Sequence, residues 1–95
     1  GVMVFSLSKE DPAKQMDTFL IRLDPESTLE GFFANRLGQV FCRVLSGALL
    51  VELNHKSYNL GCGDNLYFNA RAPFSAANAG ADITELLWVQ TPSGL

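Results

Sequence analysis

Side chains able to hold a metal ion are sparse in this 95-residue chain. It has one histidine, His55, and two cysteines, Cys42 and Cys62, which lack the Cys-x-x-Cys spacing of a zinc or redox site. Transition-metal sites need several imidazole, thiolate or carboxylate ligands, and a single imidazole does not rebuild a multi-histidine centre. Residue chemistry alone therefore disfavours metal catalysis.

Other catalytic arrangements find equally little support. No serine stands in a nucleophile-elbow context, and a nucleophilic mechanism would depend on the lone His55 as its base. A carboxylate pair for acid–base work would arise only if two distant carboxylates met in the fold, for instance Glu52 and Glu85. Gly61-Cys62-Gly63 lacks the lysine and the helix of a phosphate-binding loop. We assign no catalytic residue.

The composition is that of one small domain with enough apolar residues to form a core. Hydrophobic residues make up 47% of the chain, and a domain of this size buries roughly 60–65% of its unfolded surface. Dimerisation through an apolar sheet face would supplement that modest core, so we expect a homodimer. The net charge is −3 and no basic run occurs, which argues against direct nucleic-acid contact by this segment.

Targeting signals and disulfides are not indicated either. No apolar run approaches the ~20 residues of a membrane helix, and Val2–Phe5 is too short for a signal peptide. Two cysteines in a chain able to fill a core carry little disulfide signal, and Cys42 fits a buried free thiol. We therefore expect a cytoplasmic protein without membrane contact.

The elements that must position any site are strands. Turn-forming residues recur about every 8–12 residues, which is typical of an all-β sandwich or barrel. The apolar stretch 39–53 is long enough for a helix, but its β-branched and aromatic residues and Gly47 favour two strands. We predict one domain over residues 1–95, with an N-terminal strand and loop (1–16) and a barrel (17–92). The predicted strands are Val2–Leu7, Thr18–Leu23, Gly31–Arg36, Val40–Leu45, Ala48–Leu53, Ser57–Leu60, Leu66–Asn69, Phe74–Asn78 and Ile83–Thr91.

Three segments in order resemble the cupin family. Gly61–Asn78 reads as a Gly-Asp turn, a short aromatic strand, a second turn and a strand ending in asparagine. Val40–Gly47 is an apolar strand that closes on a glycine turn, and Leu86–Pro92 is similar to the last strand of cupin domains attached to helix-turn-helix transcription regulators. The resemblance, from about Thr18 to Pro92, implies an all-β double-stranded β-helix, or jelly-roll barrel, of two packed antiparallel sheets.

The chain departs from the family where a metal would be held. Gly63 and Asn78 match the ends of the second cupin motif, but its histidine position is Phe74. The glutamate position of the first motif is Val40. Its histidine positions are Ala34 and Arg36, or Phe33 and Asn35 if the loop is one residue longer. The resemblance thus implies a cupin without a metal or another cofactor.

Six residues are candidates to line the barrel and bind a ligand: Arg36, Val40, Cys42, Phe74, Asn78 and Trp88. Val40 and Phe74 either fill the interior or leave a reduced pocket for an apolar or mixed organic molecule. The guanidinium of Arg36 is either solvated at a loop edge or pairs with the carboxylate of a small acid.

The other polar and amphipathic candidates have structural interpretations as well. We expect the amide of Asn78 to bond turn backbone. Trp88 is either core or a binding platform, and its indole N–H needs a partner if it is buried. Arg43 has the opposite parity from Val40, so we expect it to face a dimer interface or a carboxylate across the strands, Glu52 or Glu85.

The leading hypothesis is a metal-independent cupin barrel that acts as a small-molecule-sensing or dimerising module, for instance as the regulatory part of a transcription regulator. One alternative is a small standalone cupin enzyme, such as an isomerase or dioxygenase-like protein, with an atypical metal site. The other is a purely structural interaction module whose barrel is filled.

Overall fold

The computed structural model describes residues 1–8, 13, 15–30 and 38–92, and within these ranges all regular structure is β-strand. The described part therefore has no helix able to span a membrane. Its strands are β1 (Val2–Ser6), β2 (Asp17–Leu23), β3 (Thr28–Glu30), β4 (Gln39–Ser46), β5 (Ala48–Leu53), β6 (Lys56–Gly61), β7 (Asn65–Asn69), β8 (Phe74–Ala77) and β9 (Thr84–Thr91).

The strands form two antiparallel sheets. Sheet A has the order β1-β2-β9-β4-β7, and sheet B has the order β3-β8-β5-β6. Neighbouring strands in space are mostly distant in sequence, as in a barrel of the jelly-roll type. The predicted all-β fold of two packed antiparallel sheets is confirmed.

Alternating side chains put an apolar layer between the sheets. In β2 and β9 every second residue is buried, which is the pattern of strands that face a core on one side. Sheet A supplies Phe19, Ile21, Leu23, Val40, Cys42, Val44, Phe68, Leu86 and Trp88 to this layer, and sheet B supplies Leu29, Leu49, Val51, Leu53 and Ala76.

The stretch 39–53 is a pair of strands, as predicted: a turn at Gly47 divides it, and a second tight turn follows it. Gly47 crosses from β4 in sheet A to β5 in sheet B with φ of +81°, and a Cβ there would lie 2.6 Å from the Thr84 hydroxyl oxygen. Asn54 and His55, with φ of 52° and 65°, join β5 to β6. Positive φ at both residues matches the twist of a two-residue hairpin, so β6 begins at Lys56, one residue before the predicted start at Ser57.

The sequence-based strands differ from the structure at one element and at several ends. β3 was not predicted, because three residues with a single apolar side chain, Leu29, are too short to show a period. The strand predicted at Gly31–Arg36 lies outside the described residues. β8 ends at Ala77, one residue before the predicted Asn78, whose side chain bonds the following turn.

Candidate functional site

Three aromatic side chains meet at one end of the barrel. Phe68 of β7 and Phe74 of β8 are stacked, with ring centroids 4.8 Å apart and an angle of 12° between the planes. The ring of Trp88 on β9 lies nearly perpendicular to both, with its centroid 6.0 Å from that of Phe68 and 5.6 Å from that of Phe74. Such stacked and edge-to-face pairs suit the ring quadrupoles. The cluster joins sheet A to sheet B, and Phe74 is its half-buried member.

The carboxyl group of Asp17 and the carboxamide of Gln90 lie beside these rings, at paired positions on neighbouring strands of sheet A. Asp17 opposes Gln90 across β2 and β9, Gln90 opposes Val40 across β9 and β4, and Val40 opposes Phe68. Only 4% of Asp17 and 3% of Gln90 is exposed, so both polar groups belong to the interior. The indole N–H of Trp88 donates to Oε1 of Gln90 at 3.4 Å. We call this set the aromatic end: Asp17, Val40, Phe68, Phe74, Trp88 and Gln90.

Sequence reasoning missed Asp17, Phe68 and Gln90, although strand parity could have found all three. Asp17 continues the inward alternation of Phe19 on β2, and Gln90 continues that of Trp88 on β9. Asp17 was missed because the predicted strand began one residue later, at Thr18. Phe68 and Gln90 were inside predicted strands, but their inward parity was not used to choose candidates. Their burial makes them candidate polar recognition groups of the aromatic end.

Four of the six predicted candidates lie on the interior of sheets A and B near this end. Val40, Phe74 and Trp88 belong to the aromatic end itself. Cys42 is one inward step further along β4, opposite Trp88. Burial raises the pKa of the Cys42 thiol from 9.0 to about 12, so it stays protonated and is a poor nucleophile.

Asn78 belongs to the opposite end of the barrel. It lies four residues from Phe74 along the same chain direction, roughly 13 Å at strand spacing. Its Nδ2 donates to the carbonyls of Leu23 at 2.9 Å and Asp82 at 2.8 Å, and its Oδ1 accepts from the Gly80 amide at 3.0 Å. The prediction that this amide bonds backbone is confirmed. Arg36 lies outside the described residues.

Of the two positions expected for Arg43, the pairing with Glu52 or Glu85 is wrong, and the dimer interface stays a prediction. Arg43 points outward as predicted, but it donates to Oδ1 of Asn65 at 3.4 Å. Glu85 lies opposite Arg22 and forms an ion pair with it, Nε to Oε2 at 3.2 Å. Glu52 faces outward from sheet B, so it does not meet Glu85 of sheet A as a carboxylate pair.

The two cysteines are free thiols, in line with the weak disulfide signal of the sequence. Cys42 is buried in the core, whereas Cys62 is exposed in the turn after β6. The Cys62 thiol donates to the carbonyl of Leu45 at 3.2 Å.

A sequence model of the cupin domain matches residues 20–90, which is most of the chain. The chain therefore belongs to the cupin family. Comparison with curated protein sequences finds no match.

Solved structures of cupin domains share this fold at low sequence identity. The cupin domain of an XRE-family transcriptional regulator from Enterobacter cloacae is 18% identical, with a TM-score of 0.87 over 97% of each chain. The protein TT1209 from Thermus thermophilus is 20% identical, with a TM-score of 0.83 over 96% of this chain and 83% of that one. KdgF from Halomonas sp. is 14% identical, with a TM-score of 0.79 over 99% and 82%. Identities this low show the fold alone.

The residues at the family's metal positions do not fit a metal ion. Val40, at the glutamate position, is 2% exposed and packed in the core, and Phe74, at a histidine position, is part of the aromatic cluster. No group of three or more His, Cys, Asp or Glu side chains in the described ranges is arranged to hold a metal. Residues 31–37, which include the remaining ligand positions, contain no histidine, cysteine or carboxylate in their sequence. The donor set that transition metals prefer is missing.

Proposed function

We propose that this chain is a metal-independent cupin domain that senses a small organic molecule and dimerises, as the regulatory part of a transcription regulator. The observation that carries the proposal is the aromatic end, where metal-ligand positions are taken by Val40 and Phe74 beside the buried polar groups of Asp17 and Gln90. Apolar walls with a few convergent polar groups are typical of small-molecule sites.

The shape of the aromatic end suits a ligand that contacts its outermost ring. Phe68 and Trp88 are buried, whereas Phe74 keeps part of its surface open to solvent. A ligand stacked on Phe74 would contact sheet B directly, and the Phe74 contacts with Phe68 and Trp88 transmit any displacement to sheet A. A ligand that favours one relative position of the two sheets shifts the population toward it.

The regulatory role draws support from the similar domain and from charge. The Enterobacter cloacae structure is a cupin domain of a transcriptional regulator, and it is covered almost completely by this chain. With a net charge of −3 and isolated basic residues, this segment would leave DNA contact to another part of such a regulator. We place the protein in the cytoplasm on the same proposal.

A thermal-shift screen with amino acids, short carboxylic acids and amines tests the sensing role. A ligand at ten times its Kd stabilises the native state by about 1.4 kcal/mol, which is a Tm increase of roughly 5–10 °C for a domain of this size. We expect at least one of these classes to raise the Tm at millimolar concentration.

Two matched variants test whether the ligand that raises the Tm binds at the aromatic end. Phe74→Leu removes a ring at the aromatic end and should reduce the ligand-induced shift, whereas Tyr58→Leu makes the same kind of change on the exposed edge strand β6 and should keep it. If no compound stabilises the wild type, the sensing role is rejected. An equal response from both variants places the site elsewhere.

A further inference from the structure

Lys56 of the edge strand β6 lies on the same inward side of sheet B as Phe74. Phe74 on β8 opposes Leu53 on β5, and Leu53 opposes Lys56 on β6. Residues that oppose each other in antiparallel strands point to the same face of the sheet. Leu53 is 7% exposed and points into the core, so Lys56 and Phe74 share its direction. We call these three residues the Lys56 row.

Both ends of the Lys56 row are open to solvent, whereas its middle is buried. Phe74 is half-buried, and Lys56 is exposed because β6 is the edge strand of the described sheet B. Two strand spacings of about 4.8 Å put about 10 Å between the Cα atoms of Phe74 and Lys56. A lysine stem packs along apolar surface and keeps its ammonium in water. The row thus offers a ring, an apolar floor and a cation within the length of a small molecule.

A second cation lies in the turn before Phe74. Arg71 is exposed between β7 and β8, three residues ahead of Phe74. The backbone amide of Asn54 donates to the carbonyl of Pro73 at 3.0 Å, which holds this turn against the hairpin that leads to Lys56. Within the described ranges neither Lys56 nor Arg71 has a side-chain hydrogen bond or ion pair, whereas both arginines on sheet A have one.

Lys56 is the only charged residue among the inward-facing side chains of β4, β5, β6 and β7. The carboxyl group of Asp17 lies on β2, which β9 separates from β4, the strand that β6 contacts. Glu30 and Glu52 point to the outer surface of sheet B. Four further exposed carboxylates lie at the opposite end of the barrel: Asp24, Glu26, Asp64 and Asp82. The β6 side of the aromatic end is therefore suited to an anion.

We propose that the aromatic end binds an organic acid, with its aromatic or other apolar body stacked on Phe74 and its carboxylate paired with the ammonium of Lys56. This inference rests on the proposed sensing function and names the chemical class of its ligand. A carboxylate accepts a charge-assisted hydrogen bond from an ammonium, and the apolar body covers Leu53. Arg71 adds attraction for the anion from the neighbouring turn. A cationic ligand would instead meet the like charge of Lys56.

Three compounds with the same phenyl body and different charges test the assignment: phenylpropionate, its neutral amide and phenylpropylamine. Isothermal titration calorimetry of the wild-type chain gives the Kd of each. An exposed ion pair contributes little, so we expect the acid to bind about fivefold more tightly than the amide. The amine should bind most weakly. The difference between acid and amide should shrink at high salt, because ions screen an exposed pair.

Variants assign the preference to Lys56. Lys56→Gln removes the charge and keeps an extended polar side chain, so it should weaken the acid about fivefold and leave the Kd of the amide unchanged. Lys56→Arg keeps the charge and should keep the preference for the acid. Arg43→Gln makes the matched loss of a charge on the outer surface of sheet A and should change neither Kd.

The wild-type comparison decides the ligand class even if Lys56→Gln fails to fold. Equal affinity for the acid and the amide, or tightest binding of the amine, would overturn the acid assignment and leave the sensing role intact. A preference for the acid that survives in Lys56→Gln would overturn the pairing with Lys56. Binding of none of the three, while other compounds raise the Tm, would also overturn this inference alone. A chain that no compound stabilises would lose the proposed function as well.

Discussion

Phe74 brings an aromatic ring to one end of the barrel interior. Its ring stacks on Phe68 at a centroid distance of 4.8 Å and lies nearly perpendicular to Trp88 at 5.6 Å, at a position where the family has a metal-binding histidine. An imidazole here would carry polar ring nitrogens into a largely apolar cluster, and each would need a partner. Phenylalanine satisfies this environment through dispersion and ring geometry alone. The site is therefore suited to contact with organic groups.

Cys42 provides a pH-dependent prediction at the same scale. Burial raises its folded-state pKa from 9.0 to about 12, so the unfolded chain loses this proton first as pH rises. Stability from this group is complete below pH 9 and declines above it, by about 1.4 kcal/mol between about pH 8 and pH 10. Urea unfolding of the wild type and of Cys42→Val at both pH values measures it.

The variant is its own control because it removes the titrating group and keeps an apolar side chain of similar size. We expect the difference in unfolding free energy between wild type and Cys42→Val to change over this interval by that amount. A parallel dependence on pH in both proteins would show that the Cys42 thiol ionises in the folded state as readily as in the unfolded one.

Asn78 connects several elements of the fold, since its single side-chain amide forms hydrogen bonds with three segments of the chain. It follows β8, donates to the end of β2 at Leu23 and to Asp82 ahead of β9, and accepts from Gly80 within the turn. At 1% exposure these groups have no access to water as an alternative partner. The asparagine of the family motif is thus a structural link between the two sheets in this chain.

Removing that link should be costly. Asn78→Ala leaves the carbonyls of Leu23 and Asp82 without this donor, and we expect it to lower the free energy of unfolding by about 2–4 kcal/mol. The midpoint of urea denaturation gives the value. Asn59→Ala, the same substitution on the exposed strand β6, should change stability by less than about 0.5 kcal/mol. Equal effects at the two positions would refute the linking role of Asn78.

At the scale of the whole molecule, the two sheets present different outer surfaces around one core. Sheet A exposes large apolar side chains on its outer surface, among them Phe5 and Tyr67, whereas the outer surface of sheet B is mostly polar. The aromatic end lies between the two sheets at one end of the barrel.

The sequence predicted most of this architecture because its signals were local. Alternation in β2 and β9 and the glycine turn at Gly47 marked strands and boundaries without reference to the rest of the chain. The partner of Arg43 was not predictable in this way. It depends on the pairing of β4 with β9, whose register shifts between Val44 and Ser46, and on Arg22 reaching Glu85 from a third strand.

The site was only partly predictable for a related reason. The family motif located Val40 and Phe74, and the alternation of β9 would have located Gln90 had it been followed to the end of the strand. Asp17 lies opposite Gln90 only because β2 pairs with β9 in sheet A. That pairing joins a strand near the start of the chain to its last strand. Long-range strand pairing carries no local signal.

The metal content of protein purified without a histidine tag is the most direct test of the central claim. Plasma mass spectrometry should find iron, manganese, nickel and zinc each far below one ion per chain, and a chelator should leave the Tm unchanged, because Val40 and Phe74 offer no ligand atoms. One ion per chain, with a Tm that falls when the chelator removes it, would contradict a metal-independent barrel.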